Sequence, residues 1–159
     1  MKNVFYYDTV IGRIGIAEDG EGITDIFLEE ENIDDMNVNE TELIRKAASQ
    51  LFEYFEGKRN EFSLPLTPKG TEFQKKVWKA LCEIPLGETK SYKQVAEAIG
   101  NSKACRAVGM ANNKNPIMIV IPCHRVVGSN GSLVGYAGGI HIKEKLLELE
   151  KNNYKSICE

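Results

Sequence analysis

Pro65 and Pro68 separate two stretches whose apolar residues follow different periods, and that division limits the fold more than any other feature. Before it, Val4-Phe5-Tyr6-Tyr7 and Ile14-Gly15-Ile16-Ala17 read as strands joined through the turn-prone Ile11-Gly12-Arg13. Asp19-Gly20 then turns the chain into a third strand over 23–28. The acidic, Asn-rich residues 29–39 read as exposed loop. A helix is expected over 40–56, where Leu43, Ala47, Leu51 and Tyr54 recur at helical spacing and Gly57 ends it. Residues 62–66 are a candidate further strand. After the prolines, Phe73, Val77 and Leu81 make one face of a helix over 71–83, with Lys75, Lys76 and Lys79 opposite and Pro85-Leu86-Gly87 as its end. The expectation is an α+β chain: a small N-terminal antiparallel-sheet domain with a helix (1–68), packed on a mainly helical C-terminal domain (69–159).

Ser91 followed by Gln94 is a capping-box pattern, and it opens a helix over 91–99. Gly100-Asn101 breaks that helix, Ser102 is the expected cap of the next, and residues 103–112 continue. Two short helices joined by a short Gly-containing turn make a helix-turn-helix pattern. The ordinary alternative is a helical corner in a core. Lys103 and Arg106, set beside the small Ala104, Ala107 and Ala111, favour a helix that lies close to a phosphate-lined groove.

Charge supports that direction. Residues 1–68 hold 6 basic and 15 acidic side chains, a net of −9, whereas 69–159 hold 14 basic and 8 acidic ones, a net of +6. Such asymmetry suits a polyanionic partner for one half, although solvated charged faces are the commoner case. The longest apolar run, residues 117–121, is too short to cross a bilayer, and no secretory signal opens the chain, so a cytoplasmic protein is expected. Four cysteines (Cys82, Cys105, Cys123, Cys158) form no C-x-x-C pair, and neither His124 nor His141 completes a zinc spacing. Reduced thiols and no metal are expected.

The run 117–121 reads as a buried strand ending at Pro122-Cys123-His124-Arg125. A thiol at the rim of a rigid element, next to an imidazole, is a candidate nucleophile, because the thiolate is the reactive species and a base must form it. Neighbours on an extended chain point opposite ways, so the backbone must turn at Cys123 before the two cooperate. Without such a turn, a buried inert cysteine and a structural histidine are the simpler reading. Cys82 and Cys105 read as small packing residues.

Ile121-Pro122-Cys123-His124-Arg125-Val126-Val127 resembles the signature of the 6-O-alkylguanine-DNA alkyltransferases. The resemblance extends through Pro85 to Tyr92, Arg106-Ala107-Val108-Gly109, Asn115-Pro116 and Tyr136-Ala137-Gly138-Gly139, and so covers about residues 70–151 in order. It implies that Cys123 accepts the alkyl group, with His124 drawing its proton through a water and Glu150 orienting the imidazole. It further implies that Asn115 braces the Cys123 turn. Tyr92 would protonate the departing purine and touch the flipped nucleotide's phosphate. Arg106 would enter the duplex where the base has left, with Lys93, Asn101, Lys103, Ser129 and Gln74 as further DNA contacts. Val126, Tyr136, Ala137 and Gly138 would line the alkylguanine pocket. Ala137 stands where many relatives carry Ser, which removes one hydrogen bond to the purine.

The expected activity is therefore single-turnover DNA repair without a cofactor, on 6-O-alkylguanine and also 4-O-alkylthymine. The partner would be double-stranded DNA, bound through the minor groove without sequence preference, by a monomer that meets no membrane and joins the nucleoid when on DNA. The alternatives are a non-enzymatic sensor of alkylated bases, a transcription regulator using the same helices and a cysteine hydrolase. A sensor would lack the acceptor thiol, a regulator leaves the Cys123 motif unexplained, and a hydrolase would turn over.

Overall fold

The computed structural model describes residues 2–29, 35–133 and 139–158. It divides into two compact units, Met1–Lys69 and Gly70–Glu159. The first is built on a four-stranded sheet in the order β3-β2-β1-β4, with β1 Asn3–Thr9, β2 Gly12–Glu18, β3 Ile23–Leu28 and β4 Asn37–Val38. β1, β2 and β3 form an antiparallel meander in which Tyr6 faces Gly15 and Gly15 faces Phe27. Glycine leaves room for that ring: a Cβ on Gly15 would stand 2.4 Å from Phe27 Cζ, so a larger residue would have to displace the ring. α1 (Glu42–Phe55), capped by Thr41, packs on this meander. Ile14, Ile16 and Ile26 of the sheet are buried with Ile44, Ala47 and Leu51 of the helix, the period-two and period-3.6 patterns meeting in one core.

Two expectations change here. The sheet is mixed, because Asn37–Val38, assigned to loop, runs parallel to β1, with Asn37 N–H on the Lys2 carbonyl at 2.8 Å and Asn39 N–H on Val4 at 3.0 Å. A two-residue strand on an open edge carries too short a pattern to stand out in sequence. Residues 62–66 form no strand, only an isolated parallel bridge between Leu66 and Ile23. Pro65 and Pro68 lack the N–H groups that a longer ladder needs.

In the second unit α2 (Glu72–Leu81) opens on a Thr71–Gln74 capping box and buries Val77, Trp78 and Leu81. α3 (Tyr92–Ala98) opens on the expected Ser91–Gln94 box, and α4 spans Cys105–Asn113. Ser102 is not the cap of α4. Ala104 holds that position without a side-chain bond, and its N–H closes a turn onto Asn101 at 3.0 Å. α2, α3 and α4 pack on one another, and Trp78 Nε1 donates to the Ala111 carbonyl at 2.8 Å.

Residues 117–121 are buried, as their composition demands, but they are a turn and not a strand. The run folds on itself through Ile121 N–H to the Ile117 carbonyl (3.1 Å), with Ile119 at φ +72°. Pro116 and Pro122 bracket five residues, and an apolar run of that length signals burial without fixing conformation. The last helix, α5, spans Ile140–Cys158, beyond the expected 140–151. Lys143, Leu146 and Glu150 are its buried face, at the i, i+3, i+7 spacing.

Candidate active site

Leaving the 117–121 turn, the backbone winds into a single 3-10 turn, Cys123–Arg125, and then a two-residue strand β6, Val126–Val127. The turn supplies the change of direction that lets adjacent side chains share a site. Cys123 is 5% exposed and His124 fully buried. β6 pairs in parallel with β5 (Lys90–Ser91), which brings the start of α3, and hence Tyr92, to the same place.

Two asparagines brace this backbone. Asn115 donates to the Ile121 carbonyl at 2.7 Å and accepts from Ile117 N–H at 3.0 Å, tying both ends of the preceding turn. Asn112, in the last turn of α4, donates to the Cys123 carbonyl at 3.3 Å. The Cys123 main chain is thus bonded to α4.

His124 Nε2 lies 2.5 Å from Glu150 Oε2, and both side chains are buried. A carboxylate only accepts, so the proton sits on Nε2 and leaves Nδ1 as the ring's acceptor. Nδ1 is buried, with no hydrogen-bond partner among the described residues. Arg125 clamps the same carboxylate, Nε to Oε1 at 2.8 Å and Nη2 to Oε2 at 3.0 Å, while Nη1 donates to the Ile84 carbonyl. Burial pushes the Glu150 carboxyl up, but the His124 and Arg125 contacts outweigh it and hold it at about 2. Burial pushes His124 below its ordinary value against the pull of Glu150, so the imidazole is held neutral, the form a proton acceptor needs.

Tyr92 is half-buried, and burial followed by the nearby Cys123 raises its phenol above the usual value, keeping it protonated as a donor. Lys143 is fully buried with Nζ 6.0 Å from the Tyr92 ring centroid; burial lowers its ammonium, and Cys123 opposes that shift. The arrangement holds what displacement at a saturated carbon needs: a sulfur nucleophile, a neutral base fixed by a carboxylate, and a phenol to protonate a leaving group.

Cys123, His124, Glu150, Asn115 and Tyr92 therefore come together, with buried Val126 beside them. Arg106, Lys93, Asn101, Lys103 and Ser129 are exposed. Gln74 is half-buried and its side-chain oxygen accepts from Thr71 N–H. Tyr136, Ala137 and Gly138 lie outside the described residues. Cys82, expected in packing, is exposed at the C-terminal cap of α2, where the apolar face of the helix has already ended. Among the described residues no three His, Cys, Asp or Glu side chains cluster as a metal site, and no helix is long and apolar enough to cross a membrane. Sequence reasoning missed Arg125, Asn112 and Lys143. The signal for Lys143 was available: it shares the i, i+7 face of α5 with Glu150, two charges in an otherwise apolar stripe.

Residues 4–68 match the family described as 6-O-methylguanine DNA methyltransferase, ribonuclease-like domain, and residues 72–152 its DNA binding domain. A methylated-DNA–protein-cysteine methyltransferase of Methanosarcina mazei is 54% identical over 94% of this chain and 99% of that protein. The constitutive one of Bacillus subtilis is 47% identical over 93% and 94%. Among solved structures, Mycobacterium tuberculosis O6-methylguanine methyltransferase superposes with a TM-score of 0.89 at 42% identity, covering 96% of this chain and 94% of that one. The same organism's OGT in complex with DNA gives 0.89 at 44%, covering 95% and 94%.

Proposed function

The chain belongs to the 6-O-methylguanine DNA methyltransferase family, and from that premise we propose that it repairs DNA by moving an alkyl group from 6-O-alkylguanine to Cys123. The observation that carries the assignment is the buried Cys123–His124–Glu150 constellation, its thiol and imidazole on a turn bonded to α4 and its carboxylate on α5. Transfer runs in line. His124 Nδ1 takes the thiol proton, directly or through a water, and the Cys123 sulfur forms a bond to the alkyl carbon. The bond from that carbon to O6 breaks, and Tyr92 gives the purine a proton. The thioether has no easy hydrolytic route, so one chain repairs one lesion.

The target atom is out of reach in a stacked duplex, so the nucleotide must leave the stack at a cost of roughly a few kcal/mol. Exposed Arg106 on α4 fills the gap, and the cations of α2, α3 and α4 meet phosphates. We place α4 in the minor groove, where a scanner indifferent to sequence finds the least base information. The protein acts as a monomer in the cytoplasm, and 4-O-alkylthymine is a second substrate.

The test is a titration with a duplex holding one methylated guanine, followed by intact and peptide mass spectra. One methyl per chain, located on Cys123 and saturating at one equivalent, is the expected result. Binding without methyl uptake would leave a lesion sensor instead, and repair beyond one equivalent would mean a turning-over enzyme.

Arg106→Ala is expected to slow repair of the duplex about tenfold or more relative to reaction with free 6-O-methylguanine base, since only the duplex reaction includes extrusion. Equal losses on both substrates would remove Arg106 from that role.

A further inference from the structure

The outward side of α4 carries one large apolar side chain that neither catalysis nor phosphate binding uses. Val108, Ala111 and Asn112 face the core, while Arg106, Ala107, Met110 and Asn113 are exposed, with Lys114 at the cap. Met110 is 70% exposed, the highest value among the exposed large hydrophobic side chains of the described residues. Arg106 precedes it by four positions and Lys114 follows by four, so the three form one stripe along the helix. The order is cation, thioether, cation.

That pattern fits one kind of surface. A protein-binding patch gathers apolar side chains, whereas here a single one stands between two cations. A groove with phosphates along its walls and sugars and base edges on its floor presents the complementary order. Methionine suits a floor that varies with sequence, because its unbranched, polarisable chain fills irregular gaps without demanding a hydrogen bond.

We infer that Met110 is the groove-floor contact of α4, an apolar wedge that seats the helix in the DNA minor groove at the depth from which Arg106 reaches the stack. This rests on the DNA-repair reading above. Met110 is a positioning residue: it touches neither the thiol nor the alkyl group, and it acts by holding α4, to which the Cys123 backbone is bonded through Asn112.

The experiment compares wild type, Met110→Ala, Met110→Leu and Lys114→Ala. Affinity for a fluorescent unmodified duplex is measured over a range of salt, and the rate of methyl transfer from a methylated duplex is divided by the rate with free 6-O-methylguanine. Met110→Ala is expected to weaken duplex binding and lower that ratio, each by about fivefold, with Met110→Leu restoring most of both. An apolar contact releases no counterion, so the salt slope stays at the wild-type value in Met110→Ala, while Lys114→Ala reduces it by about one. Duplex binding and a rate ratio unchanged in Met110→Ala would overturn the inference, as would a change in its salt slope. If wild type repairs normally in that case, only Met110's role falls. If wild type takes no methyl from the duplex, the repair reading falls and the wedge with it.

Discussion

Cys123→Ala is expected to abolish methyl uptake completely while leaving duplex affinity within about twofold of wild type. The sulfur is the atom that forms the new bond in the proposed transfer; the neighbouring His124 is fully buried with Nε2 on Glu150, and Cys82 is exposed at the cap of α2. The exposed cations proposed to meet phosphate, such as Lys75 on α2, Lys93 on α3 and Arg106 on α4, are side chains that the substitution leaves in place. The Asn112 side chain donates to the Cys123 carbonyl, which alanine keeps. The check is mass spectrometry of the variant after incubation with methylated duplex, alongside anisotropy with the same duplex. Methyl uptake elsewhere on the chain, or a folded variant that no longer binds DNA, would contradict this separation of roles.

Glu150→Gln is expected to reduce the transfer rate by about 10²-fold or more and to lower stability by about 3–5 kcal/mol. Gln keeps the volume but leaves Arg125, 6% exposed, with no opposing charge, and one of its two donor contacts would meet an amide NH2. Stranding a buried charge costs more than the intact pair gains, which sets the size of the stability loss. Catalytically, His124 loses the charged acceptor that fixes its proton on Nε2 and faces at best a neutral amide oxygen for which Arg125 competes, and a ring with its proton on Nδ1 cannot accept from the thiol.

Acid dependence separates this site from any other weakened packing. The Glu150 carboxyl is held at about 2, below its unfolded value. Its contribution to stability is thus complete above the ordinary carboxylate range and disappears as pH falls from there towards about 2. His124 acts in the same direction from a higher pH: the fold holds it neutral, the unfolded chain binds its proton more readily, and stability declines below the ordinary histidine value. Glu150→Gln removes the first contribution. Denaturant midpoints measured from pH 7 down to the acid limit should fall less steeply at low pH in the variant, and parallel slopes would show that Glu150 is not the linked group.

Local chemistry explains how much of this was legible in sequence. Capping boxes are written in four residues, so Ser91 with Gln94 placed the start of α3 where it occurs. Period-two alternation placed β1, β2 and β3 because each runs six or seven residues. The 117–121 run misled because its five apolar side chains specify burial and nothing about direction, and a left-handed Ile119 is invisible in composition. Asn37–Val38 escaped because a short parallel edge depends on where β1 lies.

The site divides along the same line. Cys123, His124 and Tyr92 sit in contiguous motifs that are read together, and the resemblance carried Glu150 and Asn115. Arg125, Asn112 and Lys143 depend on contacts 41, 11 and more residues away, which no local pattern encodes. Arg125 is the instructive case: it stands inside the motif, yet its partners are the Ile84 carbonyl and Glu150, on either side of it in sequence.

The separation of 26 residues between His124 and Glu150 also has an order in time. A ribosome makes the thiol and the imidazole well before the carboxylate that fixes the imidazole's proton. Until α5 has emerged and folded back, the growing chain carries an acceptor sulfur with no oriented base. With the last part of the relay late in the chain, the base is oriented only once α5 has folded into place.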